Sequence, residues 1–176
     1  MSRERIPTPV CANCNRYLRF LEDRPRKQHG VMMSPGERFC LGSKRVRRYR
    51  HSDPKIYVPS WCPRRKTPCE LRVYAFKNQN EAAMHHFLSL ALGHPISPMA
   101  GSYAVEHDLT TILTPKEFWN GCYHHKSDAE LVGTVVHQYY IVEVDDGIQP
   151  VCFYKVDGKY QILYGFNTEK ARKNLL

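Results

Sequence analysis

"VCANCNRY" occupies residues 10–17, and the reading of its two cysteines decides how the N-terminal part of the chain folds. Cys11 and Cys14 form a Cys-x-x-Cys turn, a spacing that presents two thiolates to one tetrahedral ion. A redox pair is the alternative, but no βαβ pattern surrounds these residues. Unligated buried thiols are the plainer alternative, since cysteine packs as a small hydrophobe. The neighbourhood argues against that. Cysteines 11, 14, 40, 62 and 69 all fall in one stretch with prolines at 7, 9, 25, 35, 54, 59, 63 and 68. Apolar residues there follow neither helical nor strand period, so the stretch reads as irregular and unable to bury a core unaided. A metal ion supplies what it lacks, because the free energy of binding becomes free energy of folding.

Zinc then needs two more ligands beyond the first pair. Cys40 in "ERFC", Cys62 in "PSWCP" and Cys69 in "TPCE" are the candidates, so five thiols compete for four places. Zinc is the default ion, although four thiolates also suit an iron–sulfur cluster. The order Cys-x-x-Cys, Phe-Cys, Pro-x-Trp-Cys-Pro over residues 11–63 resembles a pattern in small, mostly uncharacterised bacterial and phage four-cysteine zinc proteins. That resemblance implies Zn²⁺ held by Cys11, Cys14, Cys40 and Cys62, with Cys69 as the surplus thiol or alternative ligand. The spacings here are wider than in that pattern, and a second region is appended. It implies no activity.

Charge divides the chain in the same place. Residues 1–76 hold 18 Lys and Arg against 6 Asp and Glu, a balance of +12. Residues 77–176 hold 8 against 11, a balance of −3. Two domains are therefore expected, a basic zinc-binding module over 1–76 and a second domain over 77–176. The first should face something anionic. Its basic runs supply Lys44, Arg45, Arg47, Arg48 and Arg50 after Cys40, and Arg64, Arg65 and Lys66 after Cys62. Side chains of this kind neutralise phosphates, and Tyr49, Tyr57 and Trp61 are candidates to stack on bases or to cover the metal. A solvated surface without a partner is the bland alternative for any charge run.

The second region has regular period. "NEAAMHHFLSLAL" (80–92) places Ala83, Phe87, Leu90 and Ala91 at helical spacing behind an Asn80 cap. "SPMAGSYAVEHDLTTIL" (97–113) opens with Ser97 as N-cap and Pro98 at the first helical position, and so predicts a second helix. Thr114 with Glu117, and Ser127 with Glu130, are capping boxes. Residues 134–144, 151–156 and 159–166 alternate as strands, with Asp157-Gly158 as a hairpin turn, and "NTEKARKNLL" ends as a short helix. The expected fold class is α+β: an irregular zinc-stabilised module followed by helices packed on a three-stranded antiparallel sheet.

Catalytic signals are sparse. Walker, dinucleotide, G-x-S-x-G and H-E-x-x-H motifs do not occur. Cys122 with His124 and His125 offers a second metal site, but satisfied or exposed histidines are the commoner outcome. Adjacent His85 and His86 diverge on a helix and do not chelate together. Glu106, His107 and Asp108 would point three ways on the expected helix. The face of Tyr160, Ile162, Tyr164 and Phe166 reads as core rather than as a base-stacking platform. The sequence has no apolar run long enough to span a membrane and no secretory h-region, so an intracellular, cytoplasmic protein with reduced thiols is expected. The function read from these residues is non-enzymatic nucleic-acid binding, DNA or RNA. A protein-interaction or inhibitor module of mobile-element or phage type is the alternative, and a metal-dependent nuclease the second.

Overall fold

In the N-terminal region Cys11 lies in a 3₁₀ turn and Cys40 in a short strand, while Cys14 and Cys62 lie outside regular elements. The structure, a computed structural model, describes residues 5, 6, 9–55 and 57–176. It divides into two compact units, one of Pro7–Arg65 and one of Lys66–Leu176 together with Met1–Ile6. The dividing line thus falls at residues 65/66 instead of 76/77, because the strand that follows belongs to the second unit.

In the first unit a 3₁₀ turn over Cys11–Asn13 leads into β1 (Tyr17–Arg19). β2 (Arg26–Gln28) and β3 (Val31–Met33) form a two-stranded hairpin. Its two-residue loop, His29-Gly30, has φ of 48° and 78°. Positive φ at both central residues is the turn that matches strand twist, and glycine adopts it freely. β4 (Arg38–Cys40) and β5 (Arg47–Arg48) complete a second sheet in the order β1-β4-β5, all antiparallel. Among the described residues only Phe20, Met33 and Phe39 form its buried cluster, edged by Leu18, Val31 and Val46. The region is therefore stranded, not wholly irregular. Strands of two or three residues are too short to show a period.

The second unit is built on β6 (Cys69–Phe76), which pairs antiparallel on both edges. Helix α1 (Gln79–Leu92) follows, then β7 (Tyr103–Thr111), α2 (Pro115–Tyr123), α3 (Asp128–Leu131), β8 (Ile141–Asp145), β9 (Val151–Val156), β10 (Lys159–Leu163) and α4 (Thr168–Arg172). The sheet has five strands in the order β10-β9-β8-β6-β7. The expected meander of three strands is its β8-β9-β10 part, with its first strand starting at Ile141 instead of 134 and its last ending at Leu163 instead of 166. The α+β class holds, with helices on both faces. One face buries Leu71, Val73, Val142, Val144, Phe153 and Ile162 against Phe118 of α2 and Leu131 of α3. The other buries Tyr74, Tyr103, Ile141, Cys152 and Tyr154 with Ala171 of α4.

Three expectations are corrected here. Residues 103–111 form a strand, not a helix, because β6 offers an open ladder edge and "YAVEHDLTT" carries β-branched residues to fill it. A register shift between Val73 and Tyr74 leaves Glu106 as the extra residue. Helix α1 is capped by Asn78, whose side chain accepts from Glu81 N, and not by Asn80. Its buried side is His85 and Ser89, while Phe87 and Leu90 of the expected core face are 65% and 68% exposed. Both capping boxes form as expected, at Thr114–Glu117 and Ser127–Glu130. Among the described residues no helix is long and apolar enough to cross a membrane.

Candidate metal centre and basic face

The first unit gathers Cys11, Cys14, Cys40 and Cys62, all as free thiols. Cys11 opens the 3₁₀ turn, and Cys14 N donates to Cys11 O at 2.9 Å, which folds the Cys-x-x-Cys segment back on itself. Tyr17 pairs with Cys40 across β1 and β4, which brings the third thiol beside that turn. Cys62 sits in a turn closed by Cys62 N to Pro59 O at 3.1 Å and Arg65 N to Cys62 O at 3.0 Å. The backbone at Gly42 passes close to this group: a Cβ there would lie 3.4 Å from Cys40 Sγ and 3.5 Å from Pro63.

Electrostatics show the thiols to be neighbours. Burial raises the Cys11 pKa, the Tyr49 hydrogen bond lowers it, and Cys62, Cys14 and Cys40 each raise it further. Tyr49 donates its hydroxyl to Cys11 Sγ at 2.9 Å, and Arg64 Nη1 points at Cys14 Sγ at 3.8 Å. Cys11 Sγ in turn lies 3.9 Å from Tyr57 O, the direction of its S–H. Burial and the bond to Cys11 both raise the Tyr49 phenol, so it stays protonated and a donor. Among the described residues no group of three or more His, Cys, Asp or Glu side chains is arranged as a metal-binding set. Donor type and number suit zinc; the thiols are gathered but not closed around a point. Cys69 belongs to the other unit, buried in β6 with its S–H 3.8 Å from Lys66 O.

The aromatic residues near the thiols cover them and hold the basic strand. Tyr49 packs edge-on against Tyr17 at 5.9 Å and against Trp61 at 5.0 Å. Trp61 Nε1 donates to Asp53 Oδ1 at 2.8 Å, and the Arg47 guanidinium lies 4.0 Å over its ring. The backbone bond from Arg50 N and the Trp61 bond hold the Asp53 carboxyl below its ordinary pKa. Sequence reading missed Asp53 as the anchor of this cluster; its spacing three residues after Arg50 is the one local signal.

The eight predicted basic residues divide by what they touch. Lys44, Arg45, Arg47, Arg48, Arg50 and Arg64 are exposed. Arg48 donates to Met32 O and pairs with Glu37 at 3.4 Å, which ties β5 down. Arg65 donates to Pro59 O and Val58 O and so holds the Cys62 turn. Lys66 belongs to the second unit, where it pairs with Glu70 and Asp145. Residues 7–65 hold 14 Lys and Arg against 4 Asp and Glu, a balance of +10.

The histidine and acidic candidates of the second unit stay dispersed. His85 Nε2 meets Tyr154 OH at 2.6 Å in the core, and burial lowers its pKa. Glu106 and His107 lie 3.6 Å apart, both partly exposed, on the edge strand β7. Tyr160 donates to Asp128 and Phe166 packs on Tyr74 and Tyr103, whereas Tyr164 is exposed, so these aromatics form no single platform. No family model, curated protein or solved structure matches this chain.

Proposed function

We propose that Cys11, Cys14, Cys40 and Cys62 hold one zinc ion and that the unit built on them binds nucleic acid without catalysis. The observation that carries this reading is the gathering of four free thiols, with Tyr49 and Arg64 aimed at two of the sulfurs, in the one unit whose balance is +10. Donors directed at ligand atoms are the usual outer support of a metal site. When bound, zinc would supply folding free energy to a unit whose buried cluster among the described residues is Phe20, Met33 and Phe39.

Lys44, Arg45, Arg50 and Arg64 are the phosphate contacts in this reading, and Arg47 on Trp61 is the planar pair at the edge of the site. The test is fluorescence anisotropy with labelled duplex and single strands across a salt series. Each single charge removal should reduce the slope of log affinity against log salt by about one, with similar losses for different sequences. Absence of binding to every nucleic acid at low salt overturns the reading. It then favours the protein-interaction alternative, for which Met84, Phe87 and Leu90 stand exposed on α1.

A further inference from the structure

The second unit contains a cavity of about 690 Å³ between α2, the residues that follow it, and the β9–β10 hairpin. That volume is in the range of small-molecule sites. Its floor is rigid. Asp128 accepts from Tyr160 OH at 2.8 Å, from Val136 N at 3.0 Å and from Lys155 Nζ, and Lys155 also donates to Val136 O at 2.7 Å. Asp128, the only carboxylate lining the cavity among the described residues, is thus held by three donors and paired with Lys155. Lys126 and Lys159 remain at the mouth, both exposed and without an ion pair within 4 Å among the described residues. The lining thus holds three lysines against one carboxylate, with Glu130 close enough to Lys126 to feel its charge, although the unit as a whole holds 12 Lys and Arg against 13 Asp and Glu.

The walls are flat. The Trp119 ring is stacked on Phe153 with 17° between planes, and Tyr123 is 55% exposed beside it. Cys122 also lines the cavity, but burial pushes its thiol up to about 12, so it is no nucleophile at neutral pH. The rim carries one further anomaly. Helix α2 ends in the paired bonds Lys126 N to Gly121 O and His125 N to Cys122 O, with His125 at φ 56°. Glycine takes that left-handed position without steric cost, yet here the chain keeps an imidazole facing the cavity.

We infer that this cavity binds a small organic anion with a flat ring, of mononucleotide type, through Lys126, Lys159 and His125 at the anion and Trp119 and Tyr123 at the ring. The inference is independent of the nucleic-acid reading. The test is calorimetric titration of the full chain with adenosine monophosphate, adenosine and inorganic phosphate. The monophosphate should bind more tightly than either part. Lys126→Glu with Lys159→Glu should weaken it at least about tenfold without lowering the melting temperature, as expected for loss of two charged contacts. His125→Gly should weaken binding while holding or raising the melting temperature, which separates ligand contact from a structural role. Lys44→Glu with Arg45→Glu should leave the affinity unchanged, which separates this cavity from the basic face of the other unit. No binding of the monophosphate at millimolar concentration, adenosine binding equally well, or full affinity in the Lys126/Lys159 variant would each overturn the inference.

Discussion

Replacing Cys40 by Ser should unfold residues 9–65, whereas the same change at Cys69 should be mild. The contrast follows from what each unit has to hold it. In the first unit the buried cluster among the described residues is Phe20, Met33 and Phe39. Full burial of such a side chain contributes about 1.5–3 kcal/mol, hence roughly 5–9 kcal/mol for three. A structural zinc ion contributes about 10–16 kcal/mol at neutral pH. In the proposed site the ion would outweigh that cluster, so losing one of four ligands would remove the larger stabilising term. Cys69 sits in β6 within a cluster of twelve buried residues, and a serine hydroxyl can keep its bond to Lys66 O. That change should cost about 1 kcal/mol. Tyr49→Phe keeps the ring contacts but removes the donor on Cys11, and should weaken zinc by about 10–100-fold. The assay is zinc content per chain by elemental analysis, with amide dispersion of residues 9–65 followed by NMR before and after chelation. Metal-free protein with those amides still dispersed refutes the reasoning. Zinc lost on Cys69→Ser but retained on Cys40→Ser or Cys62→Ser would keep the ion and replace the ligand set.

A fragment of residues 66–176 should keep its helix and strand signals by circular dichroism, and a fragment of 77–176 should not, because β7 and β8 both pair with β6. Equal folding of the two would mean that β6 is dispensable. Glu143→Gln should destabilise the second unit by about 3 kcal/mol in urea unfolding, since the fully buried carboxylate accepts from Tyr74 and Arg172 and faces Arg72 at 3.8 Å. Glu70→Gln, on a half-exposed carboxylate shared by Lys66 and Arg72, should cost less than Glu143→Gln. His85 has its pKa lowered from 6.5 by burial and by His86. Its contribution is complete above pH 6.5 and is lost as pH falls towards the lower folded value, because the unfolded chain protonates first. Melting temperature measured between about pH 8 and 5 should therefore fall less steeply in His85→Gln than in the wild type, and an unchanged slope contradicts the assignment.

Features carried within a few residues were legible in the sequence. Both capping boxes and the Asp157-Gly158 turn depend on contacts three or four positions apart, and each formed as read. Strand β7 was hidden by a local signal of the wrong kind. Ser97-Pro98 resembles a helix start, while the strand character of 103–111 depends on β6, some thirty residues earlier. β6 itself was assigned to the cysteine-rich region because it begins with Cys69. The support of the thiols was illegible for the same reason, since Tyr49 and Arg64 reach sulfurs 38 and 50 residues away in the chain.

Helix α1 shows where periodicity stops being informative. A hydrophobic stripe identifies a helix, but the direction it faces depends on what the sheet presents. Here the sheet presents Tyr154, Phe76 and, from the neighbouring loop, Tyr139, and each packs its ring on His85. A buried polar group without a partner costs about 1–3 kcal/mol. His85 Nε2 meets the Tyr154 hydroxyl at 2.6 Å, and Ser89 Oγ accepts from Ile96 N at 3.3 Å one turn later. Turning Phe87 and Leu90 inward would bury more apolar area, yet it would take the imidazole from that hydroxyl, which would keep only its bond with Tyr103, and leave that amide unpaired. The polar demands of an aromatic sheet face decide the rotation of the helix, and its apolar side is left for solvent.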